Sequence, residues 1–460
     1  MSSLKKDFIK VAGSNVLLLL ASTLNNFVLP IILSISDYAN YKTYILYVSF
    51  SGFFHLGYVD GMNIKYGGRE LCDLDSKAFW SEHHFFVFTQ LLVTVALLVT
   101  AYFSHSWVMA LFALSVMPLN MQSFFLFFMQ AVGQFTVYAK CVVIVPLLMS
   151  IATCIAFAFD ISSNYAMFCV INMLSYFVSW SVLEWLSAKR LPFSRELHFE
   201  ENKKNHWNLF QSGFFIMMGT VVFGFFSTVG RWLIKWNMND ESFALYSMAA
   251  SLLGFVLIFV NAVNKVFYPY LCRNMENKER NQLLIDVLLI LSTFSLPFFF
   301  LLKYVIYLIL PKYTDSIEIV KILLLTLPAV VIIQSYYINL YKVKRLERLY
   351  LRDGILYTLL AAAVSIVAMF AFHNLKVIAL AAVICSYIWL FEPNSQIYRP
   401  KHRPLQVLYF VLIFAVYMAS DIVFDNVFLS FVVSILGILI INMTFYKELM
   451  IKSIIRNGKS

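Results

Sequence analysis

The spacing of its apolar segments constrains this chain more than any other feature. About fourteen apolar runs follow one another with short connectors between them, near 8–35, 42–66, 83–104, 106–131, 137–159, 163–187, 207–235, 243–271, 282–309, 315–341, 353–373, 376–398, 405–423 and 426–446. A hydrocarbon layer of roughly 30 Å takes about 20 apolar residues of helix to cross. Lipid offers no partner to a bare peptide group, so runs of this length span as helices, whose backbone bonds close internally. The expectation is an all-α polytopic membrane protein with about 14 (12 to 14) transmembrane helices. With 61% hydrophobic and 13% charged residues, the 460-residue chain has little left over for an aqueous domain.

Charge orients the spans. About 27 of the 35 lysines and arginines sit at the N-terminus, in or beside the even-numbered connectors, or at the C-terminus, whereas the odd connectors hold Lys42, Lys312 and Lys376. Positive connectors stay in the cytoplasm, so both termini are expected there. The net charge of +10 is mostly this topological signal and does not point to nucleic acid. The first run is longer than a signal-peptide core and is read as a retained helix. Cys72, Cys141, Cys154, Cys169, Cys272 and Cys385 form no CxxC pair, so neither a disulfide framework nor a zinc site is indicated.

The longest connector, 188–206, carries Lys189, Arg190, Arg195, Lys203 and Lys204 and reads as a basic linker between two six-helix lobes, 1–187 and 207–398, followed by an additional helix pair and basic tail, 399–460. A repeat at an offset of 205 residues supports the division: Ser22 and Thr23 match Ser227 and Thr228, Ala39 matches Ala244, and Tyr41 matches Tyr246. Helices one and seven then run in the same direction. Parallel repeats of this kind are related by a pseudo-twofold along the membrane normal, with substrate expected in a central cavity between them.

Three stretches carry a family resemblance. They are Gly57 to Gly68 at the end of helix two, Gly230-Arg231-Trp232 through Lys235-Trp236 with Phe243 to Ala249, and Leu29-Pro30 to Ser34 with Asp37-Tyr38-Ala39. They resemble the polysaccharide flippases, the Wzx-type O-antigen translocases of the multidrug/oligosaccharidyl-lipid/polysaccharide exporter superfamily. Where an acidic residue would be expected before Arg231, this chain has Gly230. The resemblance implies a two-lobed transporter in the bacterial inner membrane, moving an undecaprenyl-pyrophosphate-linked oligosaccharide from the cytoplasmic to the periplasmic leaflet. It also implies membrane lipids and the pathway's polymerase and chain-length proteins as partners.

Charges inside spans are candidates for function because each costs roughly 2.5–3.5 kcal/mol to insert at a helix centre. Arg231, Lys235, Lys265, Lys303 and Lys321 all lie in the second half and suit an anionic pyrophosphate. Arg231 and Lys235 share a helix face, although flanking Trp232 and Trp236 also fit an interfacial anchor. Among the acids, Asp60 and Glu184 are candidates for gating or for coupling to protons or sodium, and the 205-residue offset sets Asp60 opposite Lys265. Asn26 on helix one could meet sugar hydroxyls or bond to a neighbouring helix. His83 and His84 are adjacent and point to different sides of a helix, which argues against a metal pair. No phosphate-cradling GxxxxGK[ST] loop is present, so ATP hydrolysis and a resident cofactor are not expected. A cation-coupled multidrug exporter is the alternative function; a glycan polymerase or glycosyltransferase would need longer extracytoplasmic connectors than these.

Overall fold

The computed structural model describes residues 2–161, 164–192, 203–254, 271, 277–344, 346–391 and 403–447. Among them there are helices and turns and no strand. The helices are α1 (Ser2–Ile32), α2 (Ile35–Val48), α3 (Tyr58–Tyr66), α4 (Ser76–Phe103), α5 (Trp107–Ala131), α6 (Phe135–Cys141), α7 (Ile144–Ala158), α8 (Tyr165–Ala188) and α9 (Lys203–Asn237). Residues 240–254 form the described part of α10. Then come α11 (Lys278–Thr293), α12 (Phe298–Ile309), α13 (Ile317–Leu324), α14 (Leu327–Ile332), α15 (Ile338–Val343), α16 (Glu347–Phe372), α17 (Leu375–Phe391), α18 (Arg403–Val423) and α19 (Val427–Phe445).

Nine of the described helical segments are long and apolar enough to cross a membrane, or ten if the pair Pro311–Leu324 and Leu327–Tyr341, bent by 49°, is one span. Part of the gap from fourteen is physical. The run at 42–66, expected as one helix, is broken: α2 begins seven residues earlier, at Ile35, and ends at Val48, and α3 restarts only at Tyr58. Leu56 and Gly57 at the break have φ of 53° and 85°, a left-handed region that glycine enters without strain. Non-helical backbone inside a membrane needs polar partners. Here Asn120 Nδ2 donates to Ser51 O (3.3 Å), Gln90 Nε2 donates to Phe54 O (3.2 Å), and Asn120 Nδ2 also reaches Gln90 Oε1 (2.8 Å). Two amides from α4 and α5 thereby replace the bonds the helix has lost.

The chain divides into two compact units. Unit 1 comprises Met1–Thr228, Lys235–Ala244 and Leu351–Thr358; unit 2 comprises Val229–Ile234, Leu245–Tyr350 and Leu359–Ser460. Most of α9 therefore packs within unit 1. The crossing of α3 and α9 there is made by glycines. A Cβ on Gly61 would sit 2.0 Å from Leu209 O, and one on Gly213 would sit 1.9 Å from Gly57 O. Bare backbones touch, as small residues spaced by four allow where no hydrophobic force drives helices together. Aromatic packing adds to it: Tyr58 stacks on Phe86 (5.1 Å between centroids), and Phe79 packs at a tilt against Phe128 (4.3 Å).

In unit 2 the last helices are tied to the rest by polar contacts. Tyr409 Oη on α18 donates to Asn442 Oδ1 on α19 (2.9 Å), and Asn442 Nδ2 donates to Thr293 Oγ1 on α11 (3.3 Å).

The 205-residue repeat is structural. Helices α1 and α9 end at Ile32 and Asn237, which are 205 apart. Ser34 Oγ accepts from the Asp37 N–H at the start of α2 (3.0 Å), and Asn239 Oδ1 accepts from the Ser242 N–H at the start of α10 (2.9 Å). Both positions cap a helix N-terminus, where a side-chain oxygen satisfies an otherwise orphaned donor. Thr23 and Thr228 each donate to the carbonyl four residues back, at 2.8 Å. Ala39 and Ala244 are both fully buried.

Candidate functional site

The expected site cations fall into different surroundings. Lys303 and Lys321 both engage Asp421, at 2.6 and 2.9 Å, and Lys321 also bonds Glu318 at 2.8 Å. Asp421, its side chain only 7% exposed, lies on α18, so this network joins α12, α13 and α18 within unit 2, and both ammoniums are committed to protein carboxylates. Lys235 pairs with the half-exposed Asp240 at 2.9 Å and lies over the Phe243 ring. Lys265 lies outside the described residues, as do residues 193–202 of the expected linker, so the Asp60–Lys265 pairing has no described geometry.

Arg231 is half-buried on α9. The glycine before it has a steric cause. A Cβ on Gly230 would lie 2.7 Å from Tyr246 Oη and 3.3 Å from Ile378 Cγ2, so no carboxylate side chain fits there without displacing Tyr246.

Asn26 brings in a cation that hydropathy alone places in an outer connector. Lys42 lies inside α2, only 5% exposed; its Nζ donates to Asn26 Oδ1 at 3.1 Å and stands 5.2 Å from the Tyr38 ring. Because α2 starts at Ile35, Lys42 is two turns into the helix and not at its mouth. One signal for it was present: at the 205-residue offset Asn26 corresponds to Arg231, and Lys42 to the fully buried Ser247. Each half therefore carries one cation at this level of the repeat, on the second helix in one half and on the first in the other.

A second polar group lies where α3, α4, α8 and α9 meet in unit 1. Glu82, almost wholly buried, receives the Lys65 ammonium and a 2.8 Å bond from Tyr66 Oη. The sequence reading missed it because helix three was expected to begin at 83, whereas α4 begins at Ser76. Tyr58 Oη is 2.9 Å from His206 Nδ1, which links α3 to α9. Asp60 lies 3.8 Å from His55 Nε2, and the Gly57 N–H donates to His55 Nδ1 (3.1 Å). Glu184 lies 3.8 Å from His83 Nε2. The His83 and His84 rings meet edge to face, 5.4 Å between centroids with planes 70° apart. The one cluster of potential metal-ligating groups among the described residues is Glu70, Cys72 and Asp73, all exposed.

Many apolar helices, a broken second helix supported by amides and buried charges distributed over both halves define a multi-pass membrane transporter fold. Solved structures share it at low identity. The lipid II flippase MurJ in an inward-closed conformation matches at 14% identity over 96% of this chain and 99% of that one, with a TM-score of 0.71. An inward-facing multidrug-resistance MATE transporter of the MOP superfamily matches at 13% over 86% and 95%, TM-score 0.56. A MATE transporter from Vibrio cholerae matches at 12% over 85% and 95%, TM-score 0.54. No curated protein matches by sequence. A family described as "Polysaccharide biosynthesis protein" matches residues 73–316, more than half of the chain, and the protein belongs to that family.

Proposed function

We propose that this protein is a flippase that carries an undecaprenyl-pyrophosphate-linked oligosaccharide, such as an O-antigen repeat unit, from the cytoplasmic to the periplasmic leaflet of a bacterial inner membrane by alternating access. The family and the flippase fold support lipid-linked glycan transport. The observation that carries the choice of an anionic headgroup is Lys42, a buried ammonium two turns inside a membrane helix and bonded to Asn26. A cation at that depth is a candidate for function, and its charge suits an anionic headgroup. Arg231 is the proposed phosphate contact of the second half, its planar fork suited to phosphate oxygens. Lys303 and Lys321, already engaged by Asp421, serve better as helix ties than as headgroup contacts. Lys235 and Lys265 remain proposed contacts toward the two ends of the path.

Both termini face the cytoplasm in this reading, and the Glu82 group lies at the cytoplasmic end. Asp60 and Glu184 are the proposed gating or coupling acids, driven by a proton or sodium gradient. Polymerase and chain-length proteins of the same pathway are the proposed partners.

The test is transfer of a labelled undecaprenyl-pyrophosphate oligosaccharide between leaflets of proteoliposomes. Lys42→Gln keeps an amide to meet Asn26 but removes the charge. Losing one charge-assisted bond of about 1.5–3 kcal/mol corresponds to a loss of roughly tenfold or more. Native protein that is folded yet transfers none of several such lipids overturns the reading in favour of drug or ion export.

A further inference from the structure

His83 is buried at 3% exposure, and neither of its ring nitrogens has a hydrogen-bond partner. A neutral imidazole has one N–H to donate and one lone pair to fill, and burial without either is unusual for a native side chain. The ring is held by aromatic walls: Trp80 edge-on at 5.2 Å, Phe125 at 5.3 Å and Phe124 at 5.8 Å between centroids. It is therefore placed firmly in a position that satisfies nothing.

One side of the ring is open to a charge. Glu184 Oε1 on α8 stands 3.8 Å from His83 Nε2, too far for a hydrogen bond and near enough to become one with a small approach of α8 to α4. Glu184 is 33% exposed, so its carboxylate reaches the protein surface while the imidazole does not. The other groups around His83 do not compete for it. From α5 it meets Phe124 and Phe125. On α4 itself, His84 has its ring 5.4 Å away, and Glu82 is taken by Lys65 and Tyr66.

We propose that His83 and Glu184 form a proton-binding site. One proton entering from the aqueous side by way of Glu184 is shared between Oε1 and Nε2, and the charge of the pair goes from −1 to 0. No bond other than that to the proton forms or breaks. The bound state is an imidazolium–carboxylate bond of about 2.7–2.9 Å, so proton uptake draws the end of α8 toward α4 by about 1 Å. Release reverses the movement. The site thus offers the transporter a coupling ion at the end of unit 1 that carries the basic connectors. Its use in transport rests on the flippase reading; the binding itself does not.

The experiment reads proton binding without any lipid substrate. A charged imidazole quenches a neighbouring indole, so the Trp80 fluorescence component, taken as native minus Trp80→Phe in each background, is titrated from about pH 8 down to about pH 3 in nanodiscs of full-length protein. Native protein should show one reversible transition that His83→Gln abolishes. Glu184→Gln, a near-isosteric change at a partly exposed position, should keep the transition and move its midpoint down by about one to three pH units, because the neighbouring charge that favours imidazolium is gone. A native signal that is flat, that persists in His83→Gln, or that is unmoved in Glu184→Gln overturns the site. Titration present in a protein that transfers no lipid-linked oligosaccharide leaves the site standing and overturns the flippase reading instead.

Discussion

Replacing Gly213 by Ala tests whether the α3–α9 crossing holds unit 1 together. The added methyl would lie 1.9 Å from Gly57 O and 2.4 Å from Gly61 N, on top of the 2.9 Å Gly61 N–H to Gly57 O bond that opens α3. Ordinary van der Waals contact begins at 3.4 Å, so the two backbones must part by about 1.5 Å. Neither obstacle is a side chain that can swing away. Overpacking of this kind costs about 1–3 kcal/mol, and two backbones in contact place it toward the upper end. Against it stands the gain in helix propensity of Ala over Gly, about 1 kcal/mol. Gly224 on the same helix separates the two effects. Its Cβ would meet the Phe50 ring no nearer than 3.5 Å, so Gly224→Ala collects the propensity gain without the clash. Thermal unfolding in a fixed detergent should therefore rank Gly224→Ala at or above native and Gly213→Ala below it by about 1–3 kcal/mol, with faster hydrogen exchange at the Gly61 amide. Equal stability of the two variants with unchanged Gly61 exchange refutes the crossing as a close backbone contact.

Two further outcomes follow from the charge arrangement. Asp421→Asn removes the carboxylate shared by Lys303 and Lys321 and should destabilise unit 2 by about 3 kcal/mol. Added to that variant, Lys303→Met should then cost much less than it does in native protein, and strict additivity of the two changes would show that the pair is uncoupled. At the exposed Cys72, outside the spans, the Asp73 carboxylate holds the thiol pKa above its ordinary value. A raised pKa means less thiolate at neutral pH, so Asp73→Asn should speed labelling by a membrane-impermeant maleimide there, with the difference closing as pH rises above both pKa values. Labelling of Cys72 from the periplasmic side would reverse the proposed orientation.

The features the sequence reading captured are those that repeat locally. Apolar runs, alternate basic connectors and the superfamily resemblance need only a window of some twenty residues, and all-helical membrane architecture follows from them. What it misplaced depends on residues far apart in the chain. The break after Val48 lies in an unbroken apolar run, and the carbonyls of Ser51 and Phe54 within it are met by Asn120 and Gln90, on other helices. Lys303 and Lys321 read as free cations because their acid, Asp421, is 118 and 100 residues away. Lys42 and Glu82 were assigned to connectors because hydropathy places a helix end where polarity begins, whereas the chain starts α2 and α4 earlier, at Ile35 and Ser76, behind the caps Ser34 and Asp75.

The repeat shows the same division between local pattern and geometry. Few residues match at an offset of 205, yet the helix ends and the capping bonds match in register. Ser34 and Asn239 differ in side chain and perform one task, accepting the N–H three residues on. What is duplicated is therefore the position of hydrogen-bonding groups on a common backbone path, which residue identity records poorly. The same register interchanges charge: an amide and a cation at 26 and 42 correspond to a cation and a hydroxyl at 231 and 247. A half that keeps its charge on the second helix can do so because Asn26 on the first bonds the ammonium. The other half carries its charge on the first helix itself, which leaves position 247 free to be a buried serine. Each half thus holds one cation at this level of the repeat, and neither arrangement could be inferred from its own half alone.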